Sequence, residues 1–166
     1  VREGSKARER SLVELLGEDE IAATVRRLAQ ELTESYPEGF VLVVVLRAAI
    51  FFAADLIRHL DVACRVDFLE LSPYAPGTGR VRFVKDLDHD VCGEDVVLAE
   101  CLVDTGLTCS YVMRQLEGRE PRSLEVCTLL DRRSRRVVPV PLRFVGHEAP
   151  RDLLVGYGLE VAGRYR

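Results

Sequence analysis

The apolar run Val96-Val97-Leu98-Ala99-Glu100-Cys101-Leu102-Val103 ends in Asp104-Thr105-Gly106-Leu107-Thr108, and each residue type in that turn has a chemical use. Gly106 permits a tight turn, and the first N–H groups of a following helix attract an anion. The hydroxyls of Thr105 and Thr108 add donors for phosphate oxygens. Taken alone, the five residues also read as an ordinary helix cap. Glu100 tips the balance, because a carboxylate inside a strand buried on both faces is costly unless it meets a ligand or a partner. Phosphate at the turn and sugar hydroxyls at Glu100 make a phosphorylated sugar the ligand class that fits both.

The remaining candidate groups carry less. Asp86, Asp88 and Asp90 have calcium-loop spacing, but the required glycine is missing and Val97 stands where a closing glutamate belongs. Gly77-Thr78-Gly79 lacks the rest of a dinucleotide fingerprint, and no glycine-rich loop ends in Lys-Ser or Lys-Thr. Arg132-Arg133-Ser134-Arg135-Arg136 reads as a solvated turn, a nucleic-acid patch or an anion contact at a strand end. His59, His89 and His147 have no metal spacing. The five cysteines, Cys64, Cys92, Cys101, Cys109 and Cys127, form no Cys-x-x-Cys pair and sit mostly in apolar runs. Reduced structural thiols in a cytoplasmic protein are expected, with Cys101 inert for want of a nearby histidine.

The elements that must position these residues alternate. Ile21, Val25, Leu28 and Leu32 form one face of a helix over 18–34, stopped by Pro37 and Gly39. "FVLVVVL" (40–46) predicts a strand buried on both faces, followed by a helix over 48–60 and a strand over 62–71. "SPYAPGTGR" (72–80) predicts a loop; strands over 81–84 and 96–103 and a helix over about 108–117 follow. A strand over 124–130 and short strands near 142–145 and 153–155 complete the chain. With 166 residues, 48% of them hydrophobic, one domain can bury a real core. The predicted fold is α/β: a mainly parallel twisted sheet flanked by helices, with ligands beyond the carboxyl ends of the strands. Residues 1–17 read as an N-terminal arm and 18–166 as the domain. A net charge of −4 with mixed signs gives no pull toward nucleic acid or membrane, and no apolar run approaches the length of a membrane span.

"VVLAECLVDTGLTCSYVM" (96–113) resembles the phosphoribosyl diphosphate (PRPP) signature of type I phosphoribosyltransferases. "ADLIRHL", "VDFLELSPY", "VKDLD", "PRSLEVCTLLD", "RFVGHEAP" and "LLVGYGLEVAGRYR" are similar, in order, to hypoxanthine-guanine phosphoribosyltransferases over roughly residues 18–166. The resemblance implies the type I fold with a small hood region, and transfer of phosphoribose from PRPP to hypoxanthine or guanine with release of pyrophosphate. Glu100 would bind the ribose hydroxyls, Thr105, Gly106, Leu107 and Thr108 would cradle the 5′-phosphate, and Asp104 would exchange a proton near N7 of the purine. Phe144 would stack on the base and the backbone of Val145 would read its edge. Arg132 takes the place of a lysine that contacts the exocyclic oxygen. Arg47 and Arg136 would meet pyrophosphate, and Tyr74 would lie in a closing loop. Mg2+ would be the cofactor, held indirectly through Glu100 and by Asp152, in a homodimer or homotetramer.

Four departures from the family pattern fall on the chemistry. Cys101 replaces the second acid of a Glu-Asp pair, and Ala48 replaces the glycine of a Leu-Lys-Gly loop that can hold a non-proline cis bond. Pro73 precedes Tyr74 where serine is usual, and Arg151 stands where a metal-binding acid aligns, one residue before Asp152. They leave a second reading open: a weakly active or inactive relative that binds PRPP or a purine nucleotide as a sensor or regulator.

Overall fold

The computed structural model describes residues 12–73 and 81–166. Tyr74 and most of the predicted 72–80 loop lie outside the described residues, as do residues 1–11 of the arm. The element order is α1 (Glu18–Ser35), β1 (Phe40–Leu46), α2 (Ile50–Arg58), β2 (Cys64–Pro73), β3 (Val81–Lys85), β4 (Asp95–Val103), α3 (Leu107–Glu117), β5 (Ser123–Asp131) and β6 (Phe144–Glu148).

Six strands form one sheet in the order β3-β2-β1-β4-β5-β6. All neighbours are parallel except the edge pair β2–β3. The strand order reverses between β1 and β4, which is where a crevice opens at the carboxyl ends of the strands in such sheets. β1 and β4 are buried along nearly their whole lengths, as expected of strands covered on both faces. On one face α1 and α2 pack Val25, Leu28, Leu32, Phe52 and Leu56 against the sheet. On the other α3 packs Val112, Met113 and Leu116.

Helix α1 starts with three acids, Glu18, Asp19 and Glu20, at its positive end, and the Glu20 carboxylate accepts from the Gly17 N–H at 3.1 Å. Its buried face contains Val25, Leu28 and Leu32 as the spacing predicts, together with Thr24 and Ala29.

Two expected elements change. The strand near 142–145 starts only at Phe144 and runs to Glu148, because Pro139 and Pro141 carry no N–H to pair and the pairing begins once Arg143 N–H reaches the Val126 carbonyl. No strand forms at 153–155. There the chain crosses the carboxyl ends of the strands as a strap with two isolated bridges, Gly156 with Leu159 and Val161 with Arg164. The strap is fastened by long-range contacts instead: the Tyr157 hydroxyl donates to Asp55 of α2 at 2.6 Å, and Gly158 lies so close to the Ala48 carbonyl that a Cβ would collide with it.

Candidate active site

At the carboxyl ends of β1, β2 and β4 is a cavity of about 290 Å³. Its walls include Leu46 of β1, Ser72 of β2, Glu100 of β4 and the turn Asp104, Thr105, Gly106 and Thr108. The turn and Glu100, matched at the outset to phosphate and sugar, therefore share one space.

Gly106 is the residue before α3 and takes a left-handed conformation, φ 84°. No side chain caps the helix, so the plain helix-cap reading of Asp104-Thr105 is not what forms; the Thr105 hydroxyl only accepts a long 3.4 Å bond from Leu107 N–H. The first amides of a helix have no acceptor within it. Here they stand at the cavity beside two hydroxyls, a backbone geometry suited to an anion. A Cβ on Gly106 would strike the Val138 carbonyl oxygen and lie 2.9 Å from Arg136 Cδ.

Asp104 is partly exposed, and its two oxygens differ. Oδ2 lies 3.3 Å from Arg132 Nη1 and 3.5 Å from Arg135 Nη1. Oδ1 is buried and has no hydrogen-bond partner. A buried acceptor without a donor is costly, and Asp104 is among the residues lining the cavity, so a turn of its side chain would offer this oxygen to a proton-bearing ligand.

Glu100 is buried, and burial pushes its carboxyl up to about 8. The unfolded chain therefore releases this proton from about pH 4.5 while the folded chain keeps it, so stability falls as pH rises from there through 8. The displacement sets a ceiling near 5 kcal/mol, which the adjoining cavity reduces by solvation to ~2 kcal/mol. Melting of the ligand-free Glu100→Gln variant should show it. The variant is expected to match the parent near pH 5 and to melt ~5 °C higher near pH 9. A gap of the same size at both pH values would mean that Glu100 does not titrate in this window.

Cys101, next along β4, points to the opposite face and donates to the Tyr157 carbonyl of the strap at 3.5 Å. Burial, with Glu100 beside it, pushes its thiol up to about 12, so it is an inert structural thiol. The Leu46–Arg47 peptide is cis, as the resemblance allows, with Ala48 in the glycine position. Arg47 is exposed and lies 3.4 Å from Glu70 of β2.

Other expected site residues are placed differently. Phe144 is buried in the core, with its ring 6.3 Å from that of Tyr36 and under the Arg143 guanidinium. It pairs with Cys127 in the middle of β5, whereas the site lies beyond the other end of the strands, so it does not stack on a base. Val145 follows it in the same interior register, and its carbonyl accepts from Arg27 of α1 at 3.0 Å, so it does not read a base edge. Their place at the start of a short strand was the missed signal: a first residue lies farthest from the carboxyl end.

Arg132 is buried, with Nε on the Pro150 carbonyl at 2.7 Å and Nη2 on the Asp152 carbonyl at 2.8 Å. With Nη1 near Asp104, its guanidinium fastens the strap to the turn. Asp152 is exposed and is not among the residues lining the cavity; its fixed point is the carbonyl held by Arg132. Arg151 donates to the Ser134 carbonyl at 3.1 Å. Arg136 turns inward, pairing with Asp131 and donating to the carbonyls of Asp104 and Val103. Leu153, directly after Asp152, is an apolar side chain left 69% exposed. Sequence reading passed over it as part of a strand. Nearby in the strap, Glu160 and Arg166 form an ion pair.

A family model described as phosphoribosyl transferase domain matches residues 13–150. Hypoxanthine phosphoribosyltransferase of Escherichia coli (strain K12) is 44% identical over 158 residues, covering 92% of this chain and 89% of the relative. Hypoxanthine-guanine phosphoribosyltransferase of Bacillus subtilis (strain 168) is 42% identical, with 92% and 87% covered. Among solved structures, a hypoxanthine-guanine phosphoribosyltransferase from Bacillus anthracis superposes with a TM-score of 0.86 at 35% identity, covering 92% of this chain and 90% of that one.

Proposed function

Because the chain belongs to the phosphoribosyltransferase family, in its hypoxanthine-guanine branch, we propose that the cavity at β1 and β4 transfers phosphoribose from PRPP to hypoxanthine or guanine. The carrying observation is that Asp104, whose Oδ1 has no hydrogen-bond partner, lines one cavity with Glu100 and the start of α3. The 5′-phosphate sits on the first amides of α3, with Thr105 and Thr108 donating and Leu107 contributing its backbone. Glu100 holds the ribose hydroxyls. A purine nitrogen attacks C1 of the ribose, the bond from C1 to the pyrophosphate oxygen breaks, and Asp104 Oδ1 takes the proton that the purine sheds. C1 becomes cation-like as pyrophosphate leaves, so positioning and charge matter more than covalent chemistry. Leu153 offers the apolar contact for the base in place of Phe144, and Arg47, exposed after the cis peptide, meets pyrophosphate.

Magnesium fits as part of the PRPP substrate complex. Its usual protein share is one or two carboxylates, with phosphate oxygens and water completing the shell. Glu100, indirectly and once ligand binding displaces its proton, and the substrate's own oxygens would supply those donors, whereas Cys101 is on the opposite face and offers sulfur in place of oxygen. Bound there, the ion would neutralise charge on the departing pyrophosphate. Asp152 contributes only if the strap shifts.

The assembly is a homodimer or homotetramer, for which Ile50 and Phe51, half-exposed at the start of α2, provide apolar surface. The five cysteines are unpaired, which fits the reducing cytoplasm. Among the described residues no helix is long and apolar enough to cross a membrane. Nucleotide formation from PRPP and Mg2+ with hypoxanthine, guanine, xanthine or adenine, each supplied alone, tests the reading. Turnover with hypoxanthine or guanine is expected. Turnover with none of them, alongside calorimetric binding of PRPP, would replace the enzyme by a binder.

A further inference from the structure

Resting on the phosphate-loop reading above, we infer that Asp131 is a positioning residue, which holds the 103–106 turn in its anion-binding conformation through Arg136. Asp131 ends β5, beyond the cavity wall, and its carboxylate is 3% exposed. One oxygen pairs with Arg136, and the other accepts from Arg133 Nε at 2.8 Å. Held in this way, Arg136 donates from Nε to the Asp104 carbonyl at 3.0 Å and from Nη2 to the Val103 carbonyl at 3.2 Å.

The neighbouring backbone completes the clamp. Arg132 N–H donates to the Val103 carbonyl at 3.0 Å, and the N–H groups of Val137 and Val138 donate to the Thr105 carbonyl at 2.8 and 3.0 Å. All three carbonyls from Val103 to Thr105 are therefore drawn toward the basic turn. In a planar trans peptide the N–H points away from the C=O. Drawing those carbonyls to one side turns the amides of Asp104, Thr105 and Gly106 to the other. The run of arginines in this turn thus acts on the anion site from behind.

Such a role has a distinctive sign. Asp131 is a negative charge near an anion site, so by charge alone its removal should tighten phosphate binding. A positioning role predicts the reverse, because Arg136 loses its buried partner and releases the two carbonyls. The measurement is calorimetric affinity for inosine 5′-monophosphate and for inosine, with the parent and Asp131→Asn. The parent is expected to prefer the monophosphate strongly, and Asp131→Asn to lower that preference about tenfold while inosine affinity stays the same. An unchanged or increased preference would overturn the inference. Should Asp131→Asn fail to fold, Arg136→Lys serves: it keeps the charge but cannot reach both carbonyls. It too should lose about tenfold of the preference, and full retention would overturn the inference. A parent that binds inosine and its monophosphate equally would instead sink the phosphate-loop reading itself.

Discussion

Replacing Asp104 by asparagine is expected to lower kcat by about 10²–10⁴-fold while the protein remains folded and still binds PRPP. The size follows from the unequal surroundings of the two carboxylate oxygens. Oδ1 is buried without a partner, so on the proposed reading it is the acceptor for a proton from the base. In the variant, the oxygen of the amide is drawn to Arg132 and Arg135, which flank Oδ2 at 3.3 and 3.5 Å. That leaves the amide NH2 in the place of Oδ1, a donor where the proposed reaction needs an acceptor. The fold loses little, because Arg132 keeps its bonds to the Pro150 and Asp152 carbonyls. Steady-state turnover, PRPP affinity and melting temperature measured together separate these effects. Equal kcat in parent and variant would remove Asp104 from proton transfer, and a loss confined to PRPP affinity would make it a binding residue.

Gly106→Ala should be nearly as damaging by a different route. At φ 84° an alanine pays a steric penalty of about 1–2 kcal/mol. Its Cβ would also collide with the Val138 carbonyl oxygen and press on Arg136 Cδ. The Val138 carbonyl is backbone, adjoining the N–H that anchors Thr105, so relief of the clash moves the clamp. We expect kcat/KM for PRPP to fall about 100-fold or more and stability to drop by ~3 kcal/mol. Gly118→Ala is the control. Gly118 follows α3 with an ordinary φ of −64° and room for a Cβ, the nearest atom being 3.6 Å away. There alanine should leave both quantities within about 0.5 kcal/mol of the parent. Parent-like kinetics in Gly106→Ala would mean that the turn tolerates another backbone path and that phosphate is held elsewhere.

Much of this protein was legible in one dimension. "FVLVVVL" and the run from Val96 to Val103 specify doubly buried strands because no polar residue alternates along them, apart from Glu100. The helix-and-strand alternation then implies the parallel sheet. Asp104 to Thr108 stood out as a candidate phosphate turn because such a turn is contiguous: its amides and hydroxyls lie within five residues, so local backbone geometry is enough to gather them.

Residues whose roles depend on distant partners were decided only by the tertiary structure. The family resemblance implied a base-stacking role for Phe144, but the register of β6 on β5 puts it beside Cys127, deep in the core. The same resemblance implied that Arg132 contacts the purine's exocyclic oxygen and Arg136 pyrophosphate. In three dimensions their guanidiniums meet Asp104, Asp131 and backbone carbonyls from β4, the turn and the strap. Leu153 was read as strand interior, and only the path of the strap exposes it. Composition and periodicity determine which face of an element is buried, since that depends on side chains three, four or two residues apart. Where a long arginine points depends on the acceptors that the rest of the chain brings within its reach, and only folding supplies those.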